Sequence, residues 1–130
     1  MKVLLVQPPA TILRTEAKKC HPPLGLAYLA AVLKDTFEVK VLDALAEGYE
    51  RSEYLNGEYL RYGLSFDDIE KKIIEFSPHV VGVSWLFSSQ EENVRRIFKI
   101  AKKINNKIIT VTGGAHPSAV PEEALKDGDL

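Results

Sequence analysis

The chain has 130 residues, a formal net charge of −1 and apolar side chains at 45 % of its positions. This balance is typical of one globular domain, and it excludes a broad electrostatic attraction to nucleic acid or to an anionic membrane surface. The single cysteine, Cys20, excludes an internal disulfide and a cluster of thiolate metal ligands. The longest apolar run, residues 24–33, is about half of what spans a bilayer, and no signal peptide precedes it, so we expect a cytoplasmic protein.

In chain order, apolar runs predict strands over residues 3–6, 39–42, 80–84 and 108–112. None of these runs alternates apolar with polar residues, which is typical of strands that are covered on both faces. Helical patterns follow the first strand at residues 24–34, the second at 66–76, the third at 91–104 and the fourth at 121–126. Ser65 and Asp68 resemble a capping box, and Ser88 or Ser89 is the expected cap of the third helix.

The alternation of strands and helices predicts an α/β fold of the Rossmann-like, or flavodoxin-like, class. We expect a doubly wound parallel sheet in which the four predicted strands lie in the order 2-1-3-4. Residues 44–64 break the rhythm and are expected to form an irregular excursion with at most one short helix. Residues 127–130 look like the approach to a fifth strand, so we interpret residues 1–130 as one domain of a longer, truncated protein.

Ligands of open parallel sheets bind beyond the carboxyl ends of the strands, where the strand order reverses. Two prolines after the first strand stiffen that loop and remove backbone donors, which is the opposite of a phosphate cradle. The loop after the third strand offers a large apolar rim with a few hydroxyls, and Gly113 and Gly114 remove Cβ atoms at the end of the fourth strand. Since no lysine and no third glycine follows this pair, the pattern favours a large, mostly apolar, amide-bearing ligand over a nucleotide phosphate.

Taken in order, these segments resemble the cobalamin-binding domain at the N-terminus of cobalamin-dependent radical S-adenosylmethionine (SAM) enzymes, which include methyltransferases and enzymes like the anaerobic magnesium-protoporphyrin ester cyclase. The matching pieces are VLLVQPP at 3–9, PPLGLAYLA at 22–30, VGVS at 81–84, GGAHPS at 113–118 and PEEAL at 121–125. The resemblance implies cobalamin as the cofactor, and it implies a downstream domain that holds a [4Fe-4S] cluster and SAM. The implied cofactor-binding residues are Gln7, Pro8, Pro9, Leu24, Gly25, Ser84, Trp85, Leu86, Ser88, Gly113, Gly114 and His116.

A second resemblance, to cobalamin-dependent methyltransferases and mutases, concerns the nucleotide tail of the cofactor. The Ser-x-Leu and Gly-Gly motifs of that family match Ser84 with Leu86 and the pair Gly113-Gly114. The resemblance implies that the serine bonds the tail and that the glycines make space for it, so Gly114→Val is expected to abolish binding and to leave the fold intact. The family's Asp-x-His-x-x-Gly motif is missing around His21, and we therefore expect base-off cobalamin without a histidine ligand to cobalt.

Several simpler interpretations stay open. The two glycines are compatible with a plain turn, Ser84 with the end of a strand, and Trp85 with packing under a neighbouring domain. His116 either contacts the cofactor or caps the short helix that follows it. The sequence disfavours a phosphoacceptor receiver, because Gln7 and Ser84 stand where a receiver needs acidic residues. The main alternative is a degenerate Rossmann-like domain that binds no cofactor and serves only for docking.

Overall fold

The computed structural model describes residues 1–130. Its strands are β1 (Lys2–Gln7), β2 (Ala10–Leu13), β3 (Glu38–Asp43), β4 (Ser52–Tyr54), β5 (Tyr59–Tyr62), β6 (Val80–Ser84) and β7 (Ile109–Gly113). Its helices are α1 (Leu24–Leu33), α2 (Ala44–Glu47), α3 (Phe66–Phe76), α4 (Glu91–Ile104), α5 (Ala115–Ala119) and α6 (Pro121–Leu125). A single 3₁₀ turn, Ser88–Gln90, precedes α4.

The main sheet has four parallel strands in the order β3-β1-β6-β7. Counted among the four strands that the sequence predicts, this is the order 2-1-3-4, so the predicted fold class and strand order are confirmed. The strand order reverses between β1 and β6, because the chain leaves β1 toward β3 on one side and returns to β6 on the other. The carboxyl ends of these two strands, at Gln7 and Ser84, therefore flank the topological switch point.

One face of the main sheet is fully covered. Alternate strand residues such as Leu4, Val6 and Val81 point to this side, where α3 and α4 pack over them. The buried faces of the amphipathic helices α3 and α4 supply a large part of this core, and α6 adds Ala124. The largest fully buried side chains of this core include Trp85 and Phe98.

The opposite face of the sheet is only half covered. Here α1 packs against β1 and β3, with Leu26 buried on Val3 and Leu5. No helix covers β6 and β7 on this side, and Ile109 and Val111 keep 54 % and 47 % of their surface exposed. The doubly wound fold therefore leaves an open apolar strip beside α1.

The helix caps agree with the sequence at α3 and differ from it at α4. The Ser65 hydroxyl accepts a hydrogen bond from the Asp68 N–H at 3.1 Å, as predicted. The predicted serine cap of α4 is wrong, since the chain enters that helix through the 3₁₀ turn and no side chain caps its first residue. Instead the Gln90 Oε1 accepts hydrogen bonds from the N–H groups of Leu86 and Phe87, at 2.9 and 3.2 Å.

A second sheet, β2-β5-β4, corrects the expectation of an irregular excursion over residues 44–64. The short helix that we expected is α2, but β4 and β5 pair as antiparallel strands and β2 joins them from the N-terminal side. Arg61 of β5 fastens this sheet to the main domain, because its Nε donates to Asn93 Oδ1 at 3.0 Å inside the protein. The Asn93 amide in turn donates to the Pro9 carbonyl and to Thr11 Oγ1, both at 3.0 Å.

The residues after α6 form no strand. Thr110 Oγ1 donates a hydrogen bond to the Asp129 carbonyl, and Arg95 pairs with Asp127 at 3.2 Å, so this segment lies against β7 and α4. None of the helices combines the length and the apolar content that crossing a bilayer requires.

Candidate functional site

The open strip beside α1 forms a cavity of about 480 Å³, which we call the slot. Its walls come from α1, β1, β6 and β7, and most of its lining residues are apolar, among them Leu5, Leu26, Leu29, Phe37 and Val111. No Asp, Glu, Lys, Arg or His side chain lines it. An apolar volume of this size falls within the roughly 300–1,000 Å³ of small-molecule sites in proteins.

A second cavity, of about 580 Å³, lies over the carboxyl ends of β1 and β6, and we call it the mouth. One wall is the segment from Lys19 to the start of α1, and the other is the loop and 3₁₀ turn after β6. The mouth is more polar than the slot, since Gln7, Ser89 and Gln90 reach it. Four residues line both cavities, so the slot opens into the mouth at this point: Gly25, Leu26, Ser84 and Leu86.

Ser84 stands at this junction because it is the last residue of β6. Its side chain is half-buried, and its hydroxyl has no hydrogen-bond partner within the protein. An unpaired hydroxyl at the entrance of an apolar cavity can donate to or accept from a ligand without first breaking an internal bond.

The two glycines at the end of β7 differ in what their missing side chains do. A Cβ atom at Gly113 would meet nothing within 4 Å, so this residue leaves the wall of the slot open. A Cβ atom at Gly114 would lie 2.4 Å from the Trp85 carbonyl oxygen, and Gly114 has a φ of 127°, which only glycine adopts readily. The expectation that Gly114→Val leaves the fold intact is therefore wrong, because the fold requires glycine at this position, whereas the missing side chain of Gly113 leaves open space beside the slot.

The predicted site residues divide into those that line the cavities and those that do not. Gln7, Leu24, Gly25, Ser84, Leu86, Gly113 and Gly114 line the slot, the mouth or both. The residues that line neither are Pro8, Pro9, Trp85, Ser88 and His116.

Trp85 is the clearest correction in this second group. The sequence suggested that it forms an apolar rim, but its side chain is 0 % exposed and belongs to the core. Consecutive residues at the end of a strand point to opposite faces, so a Ser84 that faces the slot turns Trp85 toward α4. Leu86 and Phe87, at 43 % and 65 % exposure, form the rim instead.

Ser88 and His116 support the wall behind the mouth. The His116 ring stacks on Trp85 with the ring centroids 4.5 Å apart, and its Nδ1 lies 3.0 Å from Ser88 Oγ. Pro8 and Pro9 are buried where β1 turns toward β2. The sequence left two alternatives for His116, a contact with the cofactor or a cap of the following helix. The structure shows a third role, because the His116 ring connects α5 to the loop after β6 through its contacts with Trp85 and Ser88.

The sequence also missed residues that the structure brings to the site. Tyr62, at the end of β5, and Lys19 both line the mouth, although 43 residues separate them. No local pattern marks Tyr62, because its place depends on the docking of the second sheet. His21 also reaches the mouth; its ring is exposed and makes no hydrogen bond in the structure.

The site offers shape and hydrogen bonding rather than acid–base chemistry. A hydrogen bond from Arg51 lowers the pKa of Asp68, which lies on α3 outside both cavities. No three His, Cys, Asp or Glu side chains come together as a metal-ligand group. The arrangement suits a ligand with an apolar part in the slot and a more polar part over the mouth.

Comparison with known proteins gives a consistent family. The family described as B12 binding domain matches residues 10–130. The chain is 47 % identical over 132 residues to cytidylyl-2-hydroxyethylphosphonate methyltransferase of Streptomyces wedmorensis, and 35 % identical over 128 residues to an uncharacterised methyltransferase of Pyrococcus horikoshii. It is 29 % identical over 127 residues to the anaerobic magnesium-protoporphyrin IX monomethyl ester cyclase of Rubrivivax gelatinosus.

These alignments cover 99 %, 98 % and 98 % of this chain but only 25 %, 24 % and 20 % of the respective relatives. The chain therefore spans at most about a quarter of the length of the proteins it matches. No solved structure matches it significantly.

Proposed function

This chain belongs to the B12-binding domain family, and on that premise we propose that it holds cobalamin with the nucleotide tail in the slot and the corrin ring over the mouth. The observation that carries this proposal is the junction of the two cavities at Gly25 and Ser84. A planar aromatic base fits an apolar slot without charged residues, whereas the amide side chains of a corrin need a more polar seat.

The residues of the site then have separate tasks. The Ser84 hydroxyl hydrogen-bonds the tail where it enters the slot, and Gly113 leaves the volume that the tail fills. Gln7 and Ser89, which line the mouth, exchange hydrogen bonds with the corrin amides. Leu86 and Phe87 form an apolar rim beside the ring.

No side chain of this chain is proposed to ligate cobalt. His21 lies in the mouth, but no carboxylate or carbonyl holds its imidazole, and Pro22 and Pro23 follow it directly. His116 is fixed by Trp85 and Ser88 outside both cavities. When bound, cobalamin supplies a cobalt atom that can carry a methyl group and give it up.

Residues 1–130 are, in this proposal, the cobalamin-binding domain of a longer enzyme. Two relatives carry the name methyltransferase and one the name cyclase, and all three are about four to five times longer than the matched segment. Together with the motif resemblance, this supports a radical SAM enzyme that transfers a methyl group or closes a ring by oxidation. Its [4Fe-4S] cluster and SAM would be held by a further domain of the same chain.

Hydroxocobalamin, mixed with the purified chain under anaerobic dim light, tests the proposal. We expect a corrin absorption spectrum of the base-off form that stays with the protein through desalting. Cobinamide, a corrin that lacks the nucleotide tail, is the matched probe, and it should be retained less well because it leaves the slot empty. Loss of all corrin colour on desalting would contradict the proposal.

A docking domain without a cofactor is the second candidate, and one observation favours it. Helix α1 contains no charged residue, and its outer side exposes Leu24, Tyr28 and Val32. A helix that is apolar all round is usually covered by another part of a protein. The same experiment separates the candidates, because a purely docking domain retains neither corrin.

A further inference from the structure

The wall of the mouth that precedes α1 has almost no backbone structure of its own. Residues 17–21 belong to no helix or strand, and Lys19 is the one residue among them whose backbone groups are hydrogen-bonded within the protein. This segment nevertheless brings Lys19 and His21 to the cavity and leads into Pro22-Pro23 at the start of α1. A wall of this kind needs an anchor from elsewhere in the chain.

The anchor is the phenol of Tyr62. Its Oη accepts a hydrogen bond from the Lys19 N–H at 2.9 Å and donates one to the Lys19 carbonyl at 2.6 Å. One side chain thus satisfies both backbone groups of one loop residue, in the way that a neighbouring strand would. Tyr62 is 3 % exposed and both hydrogen bonds are partly buried, although Lys19 itself is exposed.

Further contacts hold the anchor in place. The ring of Tyr62 meets Tyr49 edge to face at 5.9 Å, and the Lys18 ammonium lies over both rings at 5.4 and 5.5 Å. The neighbouring residue of β5 is Arg61, whose bond to Asn93 ties the strand to α4. Strand β5 therefore connects residues 17–21 to the core of the main domain and holds them in position.

We propose that Tyr62 is the positioning residue for the mouth: its phenol fixes the segment 17–21 that forms one wall of the corrin seat. The inference rests on the proposed function in so far as the mouth receives the corrin ring. This inference assigns a structural role to the second sheet, because Tyr62 is the last residue of its strand β5 and lies beside the mouth. Tyr62 itself takes no part in chemistry at the cofactor.

Tyr62→Phe tests the inference, because it removes both hydrogen bonds and keeps the ring that packs on Tyr49. In the cofactor-free protein, the Lys19 amide should exchange its hydrogen about five- to tenfold faster, the factor that corresponds to the loss of one ordinary hydrogen bond. Cobalamin affinity should fall by a similar factor. Tyr59→Phe is the matched control, since Tyr59 lies on the same strand and its half-exposed phenol makes no hydrogen bond.

Residue-resolved amide exchange distinguishes positioning from general stability. Faster exchange confined to Lys19 and its neighbours supports the inference, whereas an increase that extends through α4 and the main sheet overturns it. Unchanged exchange at Lys19 also overturns it. If Tyr62→Phe does not fold, Lys19→Pro is compared with Lys19→Ala, since both lose the side chain that lines the mouth and only Lys19→Pro loses the donor N–H; corrin affinity must then be lower in Lys19→Pro. Failure of the unmodified chain to bind hydroxocobalamin refutes the proposed function. In that case the rate of amide hydrogen exchange at Lys19 in Tyr62→Phe is the measurement that shows whether Tyr62 holds residues 17–21.

Discussion

Gly113 and Gly114 are adjacent, yet substitutions at the two positions should have opposite effects. A valine at Gly113 projects into the slot from a position where no atom lies within 4 Å, and the backbone there is not in the left-handed region. The fold should therefore tolerate Gly113→Val, or gain up to about 1 kcal/mol from the stiffer strand residue. An occupant of the slot that must shift to make room loses roughly 1–3 kcal/mol, which weakens its binding by about 5- to 150-fold.

Gly114→Ala should instead damage the fold. Its Cβ would approach the Trp85 carbonyl oxygen to 2.4 Å and the carbonyl carbon to 2.8 Å, and the φ of 127° adds strain. Strain of this kind costs on the order of 1–3 kcal/mol before the clash is counted. For a domain of this size the melting temperature should fall by about 10 °C.

Titration of both variants with hydroxocobalamin and cobinamide, followed by absorbance, gives the comparison. Gly113→Val should lose affinity for cobalamin and keep its affinity for cobinamide, which has no tail to exclude. Ile109→Val is the matched control, because Ile109 lies on the same face of β7 outside the slot. Equal affinity of Gly113→Val and the unmodified chain for cobalamin would refute the assignment of the slot to the tail, and so would an equal loss for both corrins.

Three further predictions concern single groups. Ser84→Ala should weaken cobalamin binding about fivefold, as expected for one neutral hydrogen bond, without a change in melting temperature, and a larger loss of stability would contradict its free hydroxyl. Electron paramagnetic resonance of the protein with cob(II)alamin should show no nitrogen splitting from a protein ligand; splitting that disappears in His21→Ala or His116→Ala would disprove this. The hydrogen bond from Arg51 holds the pKa of Asp68 below its ordinary 3.8, so Asp68 stabilises the fold above that pH and loses this effect as the pH falls through its lowered folded pKa. Thermal unfolding should thus separate Asp68→Asn slightly from the unmodified chain near neutral pH and bring the two together in acid, and a gap that widens in acid would refute the assignment.

The main sheet was predictable because its strands are covered by other elements. The continuous apolar run at residues 3–6 is typical of a strand that is buried on both faces, as β1 is, whereas helices cover β6 and β7 on one face only. The helices between the strands favour parallel connections. The second sheet was not predictable in this way. Its strand Ser52–Tyr54 is exposed throughout, and its attachment depends on a buried bond between Arg61 and Asn93, which lie 32 residues apart. Neither feature leaves a periodic signal in the sequence.

The motif at Ser84–Leu86 shows where reasoning from sequence stopped short. The resemblance selected a loop that lines both cavities, but it treated neighbouring residues as one surface. Strand alternation assigns Ser84 to the slot and Trp85 to the core, and this rule could have been applied to the sequence alone. The clash between Gly114 and the Trp85 carbonyl could not, because it depends on how closely β7 and the loop after β6 approach each other.

The main sheet is covered by α3 and α4 on one face and only by α1 on the other, and this difference affects both the slot and the stability of the chain. Because α1 is the only helix on its face, Val111 and Ile109 remain exposed where a doubly wound sheet would normally bury them. Exposed apolar strand residues contribute little to folding until something covers them. A ligand in the slot covers part of this surface, and any ligand that binds only the folded state stabilises it, by about 2.7 kcal/mol at a hundred times its dissociation constant. The opening that we propose for the cofactor tail therefore lowers the stability of the cofactor-free chain, and occupation of the slot should restore the cover that a second helix would provide.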